Sequence, residues 1–164
     1  MNTLQLLLAQ IHALQTRNAE LEALAFTDAL TGCLNRHSYD RRVQRLSGAE
    51  TFVYIDLCRL GLINNTLGHT VADGVLARVG SCLRSHFDQI YRTGGDELVA
   101  VLDCDSAQAD QIMARVETAL DGYRVGAIPV VLAWGVGQSL EQAEAAMYEH
   151  KRECDQLFVG IGAR

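Results

Sequence analysis

A chain of 164 residues has room for one domain with a full hydrophobic core and one appended element, which argues against two independent domains. With 49% hydrophobic residues, a single proline and a formal net charge of −6, the composition fits a mildly acidic globular protein and disfavours both disorder and a nucleic-acid polymer as partner. The five cysteines, Cys33, Cys58, Cys82, Cys104 and Cys154, form no C-x-x-C pair and read as reduced thiols of a cytoplasmic protein; "MNTLQLLLAQ" lacks the basic region of a secretory leader, and no apolar run reaches the length of a membrane span.

Residues 1–25 read as one helix. Leu4, Leu7, Ile11, Leu14, Asn18, Leu21 and Ala25 follow alternating spacings of three and four, a coiled-coil seam with one asparagine at a core position. Such an asparagine can pair with its counterpart in a parallel homodimer; the alternative is a helix packed on its own domain. Residues 26–164 form the second unit. "DALTGCLNR" is a loop closing into an arginine-rich helix from Asn35, and "ETFVYIDL" is an apolar run of the kind buried on both faces of a sheet. "VADGVLARVGSCLRSHF" carries Val71, Val75, Val79 and Leu83 on one helical stripe, and "DQIYRTGGDELVAVL" is a hairpin. A helix capped by Ser106, a buried strand "PVVLAWGVG" and a last helix capped by Ser139 complete the chain. This order predicts an α/β sandwich in which helices cover a mixed, mostly antiparallel sheet.

Asp56 ends the most buried strand, where open α/β sheets place their ligands. If the hairpin lies beside that strand, Asp96 converges on Asp56, and two facing carboxylates call for a shared proton or a cation. Mg2+, or Mn2+ in its place, fits, because it takes a few hard oxygens and completes its shell with water and phosphates. An acidic protein can bind a nucleotide through such an ion. Gly94 and Gly95 suit a turn at positive φ and let a phosphate or sugar approach the backbone. Asn64 and Asp73 together match the donor and acceptor edge of guanine, although each alone reads first as a turn residue and a first-turn helix charge. His69 reads as a packing or supporting residue. Lys151 is either a phosphate contact or a solvated charge near a helix C-terminus.

"DALTGCLNR", "IDLCRLGLINNTLGHTVADGVL", "RTGGDEL" and "AEAAMYEHK" stand in the order and spacing of the GGDEF domains, the diguanylate cyclases of bacterial signalling, which residues 27–151 resemble. The resemblance implies a nucleotidyl-cyclase-like domain over 26–164 that condenses two GTP into cyclic di-GMP and pyrophosphate, each partner of a dimer supplying half the site. It implies Asp56, Asp96 and the Leu57 carbonyl as metal contacts, Asn64 and Asp73 as guanine readers, Glu97 as a proton-handling acid, Lys151 as a phosphate contact, and Gly94 and Gly95 as the signature turn.

Departures from the family pattern bear on rate. Gly61 stands where a lysine approaches the phosphates, Cys58 where a second acid follows the metal ligand, Asp155 where an arginine grips phosphate, and Leu98 in place of the signature phenylalanine. Each lost cation removes a stabiliser of charge in phosphoryl transfer, on the order of a hundredfold in rate. The expectation is a slow cyclase; the alternatives are an inactive receptor for GTP or cyclic di-GMP, and a dimerisation module with a vestigial pocket. The family's inhibitory R-x-x-D retains Asp88 but has Ser85 at the arginine position, with Arg84 one residue off.

Overall fold

The computed structural model describes residues 3–156, without the side chains of Leu6, Asp155 and Gln156, so the phosphate-gripping position of Asp155 lies outside the described residues. In chain order the elements are α1 (Thr3–Phe26), α2 (Arg36–Val43), β1 (Thr51–Leu57), α3 (Leu60–Leu67), α4 (His69–Arg84), β2 (Ile90–Arg92), β3 (Glu97–Leu102), α5 (Ser106–Leu120), β4 (Arg124–Val125), β5 (Ile128–Pro129), β6 (Leu132–Gly137) and α6 (Leu140–Gln156). The four-stranded sheet has the order β2-β3-β1-β6 and every ladder in it is antiparallel. Among the described residues the parallel pairing is the single bridge of Leu34 to Tyr91.

All seven residues of β1 are buried, because the strand has a strand on each side and helices on both faces. Tyr54 and Asp56 face α6, where they meet Glu144, Tyr148 and Lys151. Strand alternation turns Val53, Ile55 and Leu57 to the opposite face, against which α5 packs. The close seating of α6 depends on Gly135 and Gly137 of β6: a Cβ on either would collide with the backbone of α6 at Ala143, Ala146 or Met147. These glycines therefore set the height of Lys151 above the sheet.

Several local expectations are corrected. Asp105, not Ser106, caps α5, in a reciprocal capping box with Gln108. Helix α4 begins at His69, which puts Asp73 beyond its first turn, and its buried stripe runs through Ala72, Val75, Val79 and Leu83 while Val71 is exposed. Asn64, read as a possible turn residue, lies within α3, a helix too short for its periodicity to show. The β4–β5 hairpin has no sequence signal, because two-residue strands carry no alternation. Asn35 caps α2 by accepting from the Ser38 N–H at 3.0 Å, and Ser139 accepts from the Gln142 N–H at 3.3 Å.

Helix α1 does not lie on its own domain. Leu4, Leu7, Ile11, Leu14 and Leu21 are all exposed, as are Leu8 and Leu24.

Candidate active site

The antiparallel register sets Asp56 of β1 opposite Glu97 of β3, and the Leu57 N–H bonds the Asp96 carbonyl at 3.4 Å. The end of β1 and the turn at 93–96 therefore form one edge, closed by the Thr93 N–H on the Glu97 carbonyl at 3.0 Å. Leu57 itself is fully buried by its side chain.

Asp56 is 5% exposed. Lys151 Nζ lies 2.7 Å from its Oδ1 but off the hydrogen-bond direction, so the contact is an ion pair and Oδ1 has no aligned donor. Burial, then Asp96 and Glu97, push the Asp56 carboxyl up against the pull of Lys151. Burial also opposes the charge of Lys151, yet Asp56 and Asp96 outweigh it and raise its pKa. Lys151 is thus no solvated helix-end charge. Glu97 faces the Tyr54 hydroxyl, whose pKa is raised by burial and then by that carboxylate.

The glycines of the turn act differently from the expectation. Neither Gly94 nor Gly95 has positive φ. A Cβ on Gly94 would collide with the Glu97 carboxylate, so this glycine makes room for the acid, whereas Gly95 borders open space.

Beside the turn is a cleft of about 340 Å³ lined by Leu60, Gly61, Asn64, His69, Ala72, Asp73, Leu76, Arg92, Gly95 and Asp96. Asn64 comes from α3 and Asp73 from α4, two helices joined at Gly68, whose φ of 87° lets the chain reverse. His69 lines the same cleft. Asn64, Asp73 and Asp96 are therefore brought together around one space, while Asp56, Glu97 and Lys151 adjoin it on the α6 side of the sheet edge.

Two residues with no assigned role hold this arrangement. Arg92 Nε and Nη2 donate to the Gly95 carbonyl at 3.1 and 2.6 Å, while Nη1 reaches both Asp28 oxygens at 3.0 and 3.2 Å. Asp28 Oδ1 also accepts from the Thr31 N–H and hydroxyl at 2.8 and 2.7 Å. Burial works against the Asp28 charge, but Thr31 and Arg92 outweigh it and keep its pKa below the usual range. Their signal in the sequence is the leading Asp of "DALTGCLNR" and the leading Arg of "RTGGDEL".

At the expected inhibitory position, the Ser85 hydroxyl donates to the Cys82 carbonyl at 2.6 Å and Asp88 is exposed. The Arg84 guanidinium lies over Gly32, where an added Cβ would stand 3.0 Å from Cζ. No ion pair joins Arg84 to Asp88 among the described residues.

Among the described residues no group of three or more His, Cys, Asp and Glu side chains is spaced to hold a metal. The acids here fit a hard divalent ion in a leaner way: two carboxylates, one with a buried oxygen lacking an aligned donor, next to main-chain carbonyls.

Residues 25–128 match the family model described as diguanylate cyclase, GGDEF domain. The chain is 29% identical over 170 residues to diguanylate cyclase DgcS of Shewanella oneidensis, covering 90% of this chain and 57% of the relative. It is 31% identical over 154 residues to cyclic di-GMP phosphodiesterase PdeR of Escherichia coli, covering 80% of this chain and 23% of that protein. The chain thus spans little more than half the length of the first of these curated relatives and less of the second. The solved coiled coil and GGDEF domain of DgcB from Caulobacter crescentus, in complex with c-di-GMP, has the same fold: the TM-score is 0.75 at 18% identity, over 92% of this chain and 93% of that one. From the signature turn, the antiparallel sheet that carries it and the family match over most of the chain, this protein belongs to the diguanylate cyclase GGDEF-domain family.

Proposed function

We propose that the chain is a slow diguanylate cyclase, condensing two GTP into cyclic di-GMP and pyrophosphate. The observation that carries this reading is the adjacency of the Asp56, Asp96 and Lys151 charges to the cleft bearing Asn64 and Asp73. In this reading Asn64 and Asp73 take the guanine edge, which leaves polar groups unpaired with adenine. The Arg92–Asp28 clamp fixes the Gly95 carbonyl, so the turn does not yield when a triphosphate lies along it. Asp56, Asp96 and the Leu57 carbonyl would hold Mg2+ or Mn2+, which would supply charge neutralisation at the phosphates. Lys151 leaves Asp56 for a phosphate oxygen as the nucleotide binds, and Glu97 accepts the proton of the attacking 3′-hydroxyl.

Each chain supplies one half-site, and α1 pairs with its copy through the exposed leucine seam, so that residues 1–25 serve assembly and residues 26–164 chemistry. Among the described residues no helix is long and apolar enough to cross a membrane, and a cytoplasmic setting with GTP at hand suits this reading.

A second reading has its own support. Gly61 borders open space at the cleft where the family pattern has a lysine, so the fold can bind nucleotide without turning it over. Incubation with GTP and Mg2+, followed by mass spectrometry, separates the two. Cyclic di-GMP that disappears in Asp96→Asn supports the cyclase; nucleotide binding without product supports the receptor.

A further inference from the structure

Two thiols that the proposed reaction does not use adjoin its acids. Cys58 is the first residue past β1, in the turn two positions after Asp56, and Cys154 is three residues past Lys151 on the same face of α6. The Asp56–Lys151 ion pair and the Cys58–Cys154 thiol contact are therefore neighbouring rungs between one strand end and one helix. Main chain holds both sulfur-bearing residues in place. The Cys58 N–H donates to the Val131 carbonyl at 2.9 Å, and Cys154 Sγ donates to the Leu132 carbonyl at 3.8 Å. The residues are 1% and 4% exposed, and no disulfide joins them in this structure.

We propose that Cys58 and Cys154 are a modification site: they form a reversible disulfide that locks α6 to the end of β1 and holds the Lys151 ammonium on Asp56, away from an incoming triphosphate. The effect on nucleotide rests on the GTP-binding reading above; the bond itself does not.

Burial protects the pair in the closed fold, but Cys154 lies in the last turn of α6 and is exposed when that turn opens. The oxidant is a peroxide. It transfers one oxygen to the Cys154 sulfur, giving a sulfenic acid and one water. The Cys58 sulfur then attacks that sulfur, the S–O bond breaks, and hydroxide leaves with the Cys58 proton as a second water. Two thiols lose two protons and two electrons, and hydrogen peroxide becomes two waters. A thiol reductant reverses the bond by exchange.

The test treats the full chain with hydrogen peroxide, alkylates the remaining thiols, and maps peptides by mass spectrometry without reduction. Binding of Mn2+ with a non-hydrolysable GTP analogue is measured by calorimetry on reduced, oxidised and re-reduced protein. The expected result is a Cys58–Cys154 linked peptide, affinity lowered roughly tenfold or more by loss of the lysine–phosphate contact, and recovery with dithiothreitol. Cys58→Ser and Cys154→Ser should each bind like the reduced protein and ignore peroxide. Absence of the linked peptide, or its appearance only between other cysteines, overturns the site. A linked peptide with unchanged affinity overturns the lock on Lys151. If the reduced protein binds no nucleotide, the GTP-binding reading fails and the lock fails with it, while the peptide map still decides the site.

Discussion

Asp56 carries the tension of the site in a single side chain. Its carboxyl is pushed up by burial first and by Asp96 and Glu97 next, so the folded protein holds its proton more tightly than the unfolded chain does. With that sign, stability is greatest below the unfolded carboxyl pKa and declines as pH rises through the folded one. The ionised carboxylate is thus a standing cost that a bound cation would relieve. Asp56→Asn should melt at the same or a higher temperature than the parent by thermal unfolding. The parent should gain about 2.7 kcal/mol at a hundredfold excess of Mn2+–GTP over Kd, and the variant nothing. Glu50 behaves in the opposite sense. Its carboxylate accepts from the N–H groups of Ser47, Gly48 and Ala49, led by Ser47, and its pKa is held down from 4.5 to about 2. A depressed carboxylate contributes stability that is complete above the unfolded value and is lost as pH falls toward the folded one. Acid titration followed by circular dichroism should show Glu50→Gln losing less stability than the parent between about pH 4.5 and 2.

At the scale of elements, the cyclase reading makes α3 the helix that limits rate. Gly61 sits in its first turn with nothing within 4 Å of an added Cβ, so a side chain can begin there without a clash at its first carbon. Gly61→Lys should stabilise the helix by up to about 1 kcal/mol and return a cation to the phosphate side of the cleft. Initial rates of pyrophosphate release should rise about tenfold or more, and an unchanged rate would show that Gly61 does not limit turnover. This helix also marks where the sequence was legible and where it was not. β1 could be read because a continuous apolar run ending in an acid is rare outside a central strand, and the glycine turn could be read from its composition. α3 has only eight residues, too short for periodicity, so Asn64 was visible as a residue type but not as a helical one. The Asp28–Arg92 clamp joins residues 64 positions apart, and the Cys58 and Cys154 thiols meet only because Gly135 and Gly137 let α6 close on the sheet. Contacts of that kind are set by tertiary packing, on which local patterning is silent.

For the whole molecule, the account requires two chains. In the cyclase reading each copy holds half a site, and the exposed leucines of α1 offer the surface that pairs two copies. Removing residues 1–25 should leave the fold intact by circular dichroism while lowering turnover per chain, with the deficit growing on dilution and shrinking at high concentration. Equal specific activity across dilution for both lengths would remove α1 from the mechanism. The claim beneath all of these is that Asp56 and Asp96 grip one divalent ion against a triphosphate whose base lies between Asn64 and Asp73. A crystal grown with Mn2+ and a non-hydrolysable GTP analogue tests it most directly, by anomalous scattering. The account predicts a manganese peak shared by the two carboxylates, with Lys151 moved from Asp56 to a phosphate oxygen. Carboxylates turned apart, with no peak between them at saturating nucleotide, would contradict it.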